Sequence, residues 1–434
     1  TLVVWAGGPQ ARRAGMRYIV IHLLAGVLLM AGAAGHIFST GETAFVPMEA
    51  ATPAAWVMLL AFLINGGAPP LSAWVADAYP KASWSGMVFL SAFTTKTAVY
   101  CMIRGFPGEE VLLWVGTYMI LYGIVYAMLE NDMRRILAYA IVNQVGFMVV
   151  AIGAGSPEAL DGAAAQAFVH ILYKALLIMA AGAVILQTGR TRLTELGGLY
   201  RTMPVTTVCL LAGAATAMAL PLTAGFASKA LISTGVGHEH HLWPWLAITA
   251  GSAAVVFNAG VRLPWFAFFR RPEVPYKTKP EDPPLAMQAA MVFLAVLCIG
   301  LGPLYPILYG MIPNGSDYAP YKIGNISAQL QLALAGGVVF YLARGLLYPR
   351  GGEMLDWDWF WRRGGYVLAH AFGTAWIRAY ARMAERALDA VRRFIRGLYR
   401  THGPESRLAQ TRPSGYMALW MTALLGVFML FAFT

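Results

Sequence analysis

Four ionisable side chains lie inside long apolar stretches of this chain: Lys96, His170, Lys174 and Lys229. We call them the four buried bases. A lysine at mid-bilayer costs about 3 kcal/mol on insertion scales, and such residues usually mark an ion or proton pathway. His170 and Lys174 are four residues apart, so they share one face of a helix. The chemistry that these residue types indicate is proton transfer between buried bases.

Acidic side chains are absent from the same stretches. All 21 Asp and Glu residues fall in predicted loops or at the ends of predicted spans. Desolvation and nearby like charges both disfavour the charged form of a lysine. A lysine without a carboxylate partner can therefore accept and release a proton, which a fully paired lysine does poorly. The structural alternative for Lys96 is an amine satisfied by the hydroxyls of Thr94, Thr95 and Thr97, and the alternative for His170 is an ordinary core histidine.

The composition requires a membrane around these residues. The chain is 58% hydrophobic and 12% charged, whereas soluble domains carry about 25% charged residues. Apolar runs of about 20 residues, long enough to cross a bilayer of about 30 Å, recur along the chain. The sequence predicts an all-α polytopic membrane protein with about eleven spans, at 16–36, 54–75, 85–103, 110–129, 136–153, 162–187, 203–232, 243–261, 284–310, 326–347 and 415–433.

The net charge of +11 does not indicate nucleic acid, because the basic residues are confined to one side. Of the 32 Lys and Arg, three lie within spans, Arg104 and Lys322 fall on one side, and the rest fall on the other. Cytoplasmic loops carry the excess of Lys and Arg. We expect an integral protein of the bacterial inner membrane with its basic loops in the cytoplasm. The loops at 37–52, 154–161 and 233–242 contain neither residue and should face outward.

Two predicted spans are interrupted by glycine and proline, which break the helical hydrogen-bond ladder. The tetrapeptides at 70–73 and 221–224 are similar and lie in two halves of the chain. Broken helices at corresponding positions indicate an inverted-repeat transporter with a midplane pathway; two ordinary proline kinks are the alternative. Lys229 follows the second break, where freed carbonyls could solvate its amine. The predicted breaks comprise Gly66, Gly67, Pro69 and Pro70 in the first span and Pro221 and Gly225 in the second.

The C-terminal part has a different character. Residues 353–363 are aromatic and charged, as is typical of a membrane interface. Residues 366–400 carry apolar side chains every three or four positions and arginines elsewhere, which predicts a long basic amphipathic helix along the cytoplasmic face. It is interpreted as a strut across neighbouring subunits or as an anchor for the chain's own end. We expect a transmembrane core at 1–348, the lateral helix at 349–414 and a final transmembrane anchor at 415–434.

No motif for a cofactor occurs. Cys101, Cys209 and Cys298 are far apart and no C-x-x-C is present, so an iron–sulfur cluster or zinc site held by this chain is not expected. Glycine-rich nucleotide motifs are also missing. We expect no cofactor, no metal and no catalytic residue here, and any redox chemistry would belong to other subunits. Residues 1–6 look like the tail of a helix, so we expect an N-terminally truncated fragment.

Several motifs together resemble the antiporter-like membrane subunits shared by respiratory complex I (an NADH dehydrogenase) and the Mrp-type multi-subunit Na⁺/H⁺ antiporters. The resemblance covers most of 1–310 and is strongest to the D-like subunits of those antiporters. The ending, a span followed by a lateral helix and a last span, resembles the large distal subunit of complex I. The motifs are Asp77-Ala-Tyr-Pro80, Phe93-Thr-Thr-Lys-Thr-Ala-Val-Tyr100, Asn131-Asp-Met-Arg-Arg-Ile-Leu-Ala-Tyr139 with Gln144 and Gly146, and Gly225-Phe-Ala-Ser-Lys229.

The resemblance implies that the two broken helices carry central proton sites. The family has a lysine just before the first break, where this chain has Asn65, and Ser72 and Ala76 replace a His and a Pro. The family also has a membrane glutamate in the helix before 16–36, which the expected truncation removes. Because an amide cannot titrate but can hydrogen-bond water, we expect Asn65 to order water in the part of the proton path at the first broken helix, the first half-channel.

The leading hypothesis is a proton-translocating subunit of a multi-subunit cation/proton antiporter or of a complex I-like redox-driven pump. Its partners would be other membrane subunits, the lipid bilayer, protons and possibly Na⁺, and not nucleic acid. A non-conducting scaffold subunit is the alternative, favoured by Asn65 and opposed by the four buried bases. A self-sufficient solute transporter is opposed by the absence of an intramembrane carboxylate.

Overall fold

The protein is described by a computed structural model covering residues 2–5, 7–312, 315–345, 348–349, 356–404, 406, 409–410 and 413–433. Parts of the predicted interfacial segment 353–363 and the end of the predicted span 326–347 lie outside the described residues. Within the described part, eight helices are long and apolar enough to cross a membrane and three shorter helices are apolar. No strand occurs there. The prediction of an all-α polytopic membrane protein is confirmed.

The helices of the first half begin and end where the sequence supplies caps. The side chains of Thr52, Ser83, Asp132 and Ser156 accept hydrogen bonds from the first free backbone N–H groups of four helices. Gly155 ends one of them in the left-handed conformation. In order the helices are α1 (Leu2–Trp5), α2 (Gly8–Thr40), α3 (Pro53–Gly66), α4 (Ala73–Ala78), α5 (Trp84–Gly105), α6 (Glu110–Leu129), α7 (Met133–Ala154) and α8 (Pro157–Thr188).

The second half repeats the pattern of long and broken helices. Its helices are α9 (Pro204–Ala217), α10 (Ala224–His238), α11 (Leu242–Val255), α12 (Leu285–Gly300), α13 (Tyr305–Gly310), α14 (Ile323–Ala343) and α15 (Trp357–Trp359). The predicted span 243–261 ends too early, because π-helical turns continue α11 as far as Phe269. Arg262 is therefore buried within the helical run rather than placed in a loop. Its guanidinium donates to the carbonyls of Ala127 and Glu130, at 3.2 and 3.0 Å, and so caps the end of α6.

The centre of the core is α7, whose membrane-crossing window is entirely buried. It packs closely against α6 through glycines: a Cβ on Gly123 would lie 2.5 Å from the Asn143 nitrogen, and one on Gly146 would lie 2.8 Å from the Gly116 carbonyl oxygen. Small residues at such crossings let helix backbones approach closely in membranes. The tight contact leaves little freedom for α7, which makes it a rigid support for polar side chains.

The chain divides into two compact units, Thr1–Asp358 and Trp359–Thr434. The second unit contains α16 (Tyr366–His402) and α17 (Ser414–Ala432), which correspond to the predicted amphipathic helix and the predicted last span. Within α16 no residue is buried, and its polar and apolar side chains are strongly segregated between two faces. Such a helix is stabilised by an interface between water and an apolar phase.

Candidate proton pathway

The first broken helix is interrupted between α3 and α4. Gly67 adopts a φ of 81°, which stops α3 and favours glycine. Prolines at positions 69 and 70 then prevent the helix from resuming at once. The carbonyl of Ile64 accepts the indole N–H of Trp74 at 3.1 Å as well as the backbone N–H of Gly67 at 3.1 Å. A neutral donor therefore satisfies the carbonyl that the break exposes.

Asn65 lies in the last turn of α3 and contacts α2. Its Oδ1 is 2.8 Å from Nδ1 of His22. The imidazole packs against the rings of Tyr18 and Trp74, with centroid separations of 4.1 and 4.5 Å. Sequence reasoning did not single out His22, since the only signal was one polar side chain within the apolar stretch 19–35. No hydrogen bond joins Asn65 to the four buried bases among the described residues.

The second broken helix is interrupted between α9 and α10, at residues 218–223. Lys229 stands in the second turn of α10, and its ammonium donates to the carbonyl of Ala217 at 2.8 Å. The same nitrogen lies 5.2 Å from the centre of the Phe147 ring. Gln329 of α14 donates to the next exposed carbonyl, that of Met218, at 2.6 Å. Position 225 must be glycine, because a Cβ there would be 1.9 Å from the carbonyl oxygen of Thr216.

The other two lysines are also bonded to neutral oxygen atoms. Lys96 of α5 donates to the carbonyl of Ser91 at 2.7 Å and to the hydroxyl of Thr95 at 3.2 Å. Lys174 of α8 donates to the carbonyl of Leu137 at 3.3 Å. Of the neighbouring threonines, Thr97 donates instead to a backbone carbonyl of its own helix. Among the described residues, no carboxylate forms an ion pair with any of the three buried lysines.

The four buried bases come together from α5, α8 and α10. Their exposed fractions are 7% for Lys96, 0% for His170, 1% for Lys174 and 5% for Lys229. The charge of His170 interacts with those of all three lysines, Lys96 interacts with Lys174, and Lys174 interacts with Lys229. A positive charge on one of these groups therefore disfavours a positive charge on its neighbour, and a proton relay requires this coupling.

A buried network of amides and hydroxyls accompanies the bases. Gln166 donates to Gln144 at 3.0 Å, and the hydroxyl of Tyr173 donates to the same oxygen at 3.0 Å. Ser228, the residue before the lysine of α10, donates to Gln166 at 2.5 Å. His170 meets the Tyr173 ring edge-on, with centroids 5.1 Å apart. Of this network sequence reasoning gave a role only to His170 and named Gln144 and Ser228 only within family motifs, because the partners are far apart in the chain and meet through helix packing alone.

A cavity of about 350 Å³, lined by both polar and apolar side chains, opens beside the second break. It is bounded by α10, α11 and α14, and that volume accommodates several water molecules. At one side of it the hydroxyl of Tyr318 bonds with Thr234 at 2.8 Å and accepts the amide of Asn325 at 2.7 Å. Its polar lining consists of Lys229, Ser233, Thr234, Thr249, Ser252, Asn325 and Gln329.

One carboxylate is more deeply placed than its sequence context predicted. Asp356 belongs to the segment 353–363, assigned from sequence to the membrane interface, yet it is only 5% exposed. Tyr122 of α6 and Tyr139 of α7 both donate to it, the latter at 2.7 Å. The charged aromatic segment therefore sends an acidic side chain between two core helices, which the pattern of residue types does not reveal.

Two broken helices around a buried row of lysines define an antiporter-like membrane subunit as the class of protein. The chain belongs to the NADH:quinone oxidoreductase/Mrp antiporter transmembrane family, whose model matches residues 2–256. The predicted family resemblance is therefore confirmed, and the chain is an integral membrane protein.

Individual relatives agree with this assignment. The chain is 30% identical to the D-type subunit of the Na(+)/H(+) antiporter of Alkalihalophilus pseudofirmus over 58% of this chain and 55% of that protein. Chains of two solved structures share the fold: one from the Mrp complex of Dietzia sp. DQ12-45-1b (TM-score 0.61, 22% identity, 78% of this chain and 69% of that one) and one from respiratory complex I of Thermus thermophilus (TM-score 0.61, 24% identity, 73% and 72%). The chain spans about half the length of several curated relatives, 48% and 58% in two of them.

Proposed function

We propose that the chain is a proton-translocating subunit of a multi-subunit cation/proton antiporter or of a complex I-like pump in the bacterial inner membrane. The observation that carries the proposal is the position of Lys229. Its amine donates to a carbonyl exposed by a helix break, borders a cavity that carries hydroxyl and amide groups, and interacts with the charge of Lys174. An intramembrane amine without a carboxylate partner is energetically costly, and such residues usually mark an ion or proton pathway.

Protons pass along the four buried bases by charge repulsion between neighbours. A proton gained by Lys96 makes a second charge on Lys174 less favourable, and a charge on Lys174 acts in the same way on Lys229. In the described residues these amines hydrogen-bond only to neutral oxygen atoms, so no ion pair holds the proton on one lysine. The hydroxyls and amides beside His170 and Ser228 complete the route between α8 and α10.

The proton leaves through the cavity beside Lys229. With the basic loops in the cytoplasm, α10 runs from the break toward the outer face, and Lys322 at the start of α14 lies on that face. The cavity is lined by both helices and by hydroxyl and amide groups. Water held there would connect the amine with the outer surface.

The experiment is proton flux through the complete complex in liposomes, followed by a pH-sensitive dye. We expect flux with the native chain and strongly reduced flux with Lys174→Ala, while Lys277→Ala, in an exposed position, serves as the matched control. Assembly of each complex is checked by size-exclusion chromatography. Equal flux for native and Lys174→Ala complexes would support the non-conducting scaffold, which Asn65 favours because it cannot titrate.

The coupling partner is tested in the same liposomes. Flux that requires a Na⁺ gradient would identify a cation/proton antiporter, whereas flux that requires electron transfer to a quinone would identify a redox-driven pump. The partners in either case are other membrane subunits.

The C-terminal helix has a supporting role in this proposal. At about 1.5 Å per residue, α16 reaches about 55 Å, longer than a simple anchor requires, and it lies along the cytoplasmic face as a strut between subunits. Single cysteines placed along 366–400 should react with reagents from the cytoplasmic side only. Polar replacements of Trp376, Tyr380 and Phe394 should loosen assembly without changing the proton sites. Labelling from the outer face would contradict both the placement and the topology.

A further inference from the structure

We infer that His22 of α2 is the proton-accepting group of the first broken helix, in place of a lysine at position 65. The inference rests on the proposed function, since it assigns a further residue to the same proton pathway. It changes the expected difference between the two broken helices, because the first also has a titratable group, which is supplied by the neighbouring helix α2.

The hydrogen bond to Asn65 sets the chemistry of the ring. The amide oxygen faces Nδ1 at 2.8 Å, and a carbonyl oxygen can only accept, so Nδ1 carries the hydrogen. The second nitrogen, Nε2, is then the basic one. Nε2 is buried and has no hydrogen-bond partner among the described residues. Asn65 thus orients an imidazole whose free lone pair can take up a proton.

The surroundings of the ring do not fix its charge. Ionisable groups on α2 and on the elements packed against it include Arg17, Tyr18, Asp77, Tyr79 and Lys81, and Lys81 donates to Gln10 at 3.1 Å. Arg17 and Asp77 pair with each other at 2.7 Å, and the hydroxyl of Tyr79 donates to a backbone carbonyl. No acidic side chain forms an ion pair or a hydrogen bond with His22 in the described part of the chain. Its protonation is therefore not locked by an ion pair.

The position of the ring connects the first break with the four buried bases. The imidazole packs on Trp74, whose indole satisfies the carbonyl exposed by that break. Tyr18, which also packs on the imidazole, interacts with the side chain of Thr94 on α5. The next residue along, Thr95, is the hydroxyl that contacts Lys96. The surroundings of His22 and of the first buried lysine therefore meet at consecutive residues of α5.

The test compares variants in the complete complex by proton flux in liposomes. His22→Gln keeps a side chain that can hydrogen-bond Asn65 but cannot take up a proton, and we expect flux to fall by about tenfold or more. The transposed double variant, His22→Asn with Asn65→His, keeps one imidazole and one amide at the break and should retain most of the flux. His36→Gln on the same helix is the matched control and should leave flux unchanged.

Chemical rescue separates a proton-transfer role from a packing role. Imidazole added to His22→Ala complexes should restore flux, whereas pyrrole, of equal size but not basic, should not. Normal flux in an assembled His22→Gln complex, or equal rescue by both compounds, would overturn the inference and leave the proposed function intact. Absence of flux in the native complex would instead refute the proposed function itself. If His22→Gln fails to assemble, the imidazole and pyrrole comparison decides.

Discussion

Each of the two broken helices leaves a backbone carbonyl without its helical N–H donor, and a different side chain donates to that carbonyl in each case. At the first break the carbonyl of Ile64 receives the indole N–H of Trp74, and at the second the carbonyl of Ala217 receives the ammonium of Lys229. An indole cannot titrate, whereas an amine can. At the second break the donor to the exposed carbonyl is itself titratable, whereas at the first break the titratable group, His22, stands on the neighbouring helix α2.

The surroundings of the two breaks also differ. The first is held by α2 through the ion pair of Arg17 with Asp77 and through edge-to-face contacts of Tyr18 and His22 with Trp74. The second is bordered by the cavity, and Gln329 of α14 donates to its exposed carbonyl of Met218. The first break is therefore enclosed by packed side chains, whereas the second opens onto a cavity.

The largest effect is expected for Lys229→Ala. The substitution removes the titratable donor at the second break, so proton flux of the assembled complex should fall to the level of liposomes without protein. Lys279→Ala, in an exposed loop, should be unaffected. Unchanged flux with Lys229→Ala would mean that the two breaks do not differ in the way the donors suggest.

The next largest effect is expected for Gly225→Ala, which tests the geometry of the second break without touching its charge. A Cβ there would overlap the carbonyl of Thr216, so α10 must shift and carry the amine of Lys229 with it. Overpacking of this kind costs about 1–3 kcal/mol. Both the thermal midpoint of the complex and its flux should fall, whereas Gly337→Ala in α14, which meets nothing within 4 Å, should change neither. An unchanged thermal midpoint would show that α10 is not tightly packed against the carbonyl of Thr216.

Much of this contrast could be predicted from the sequence. Proline and glycine in apolar runs located both breaks, lysines in those runs located the buried bases, and the arginine-bearing periodicity of 366–400 located α16. These features follow from local physics: hydrogen-bonding capacity, desolvation of charge and helical period. They can be read without knowing which helices touch.

The remainder depended on packing between helices. His22 and Asn65 meet only because α2 crosses α3, and the bond of Ser228 with Gln166 joins residues far apart in the chain. The π-helical turns that bury Arg262 leave no recognisable pattern of residue types. Sequence periodicity describes one helix at a time, so contacts of this kind are beyond it.

A smaller effect is expected for Asn65→Ala. The substitution removes one hydrogen bond of about 1 kcal/mol, equivalent to a loss of flux of about fivefold at most, and it leaves the imidazole of His22 in place. The measurement is the same flux assay. A loss as complete as that of Lys229→Ala would show the amide itself to be essential to the path, and the contrast between the breaks would then be wrong.

The smallest effect is expected for Trp74→Phe, which removes the neutral donor of the first break. The carbonyl of Ile64 keeps the backbone N–H of Gly67 at 3.1 Å, so it is not left without a partner. The free energy of unfolding should fall by about 1 kcal/mol, the usual net value of one hydrogen bond, and the thermal midpoint of the complex should fall slightly with unchanged flux. Trp114→Phe, at a half-exposed position of α6, is the matched control. Flux that fell with Trp74→Phe as far as with Lys229→Ala would mean that the indole donor takes part in proton transfer, and that a titratable donor is not what separates the two breaks.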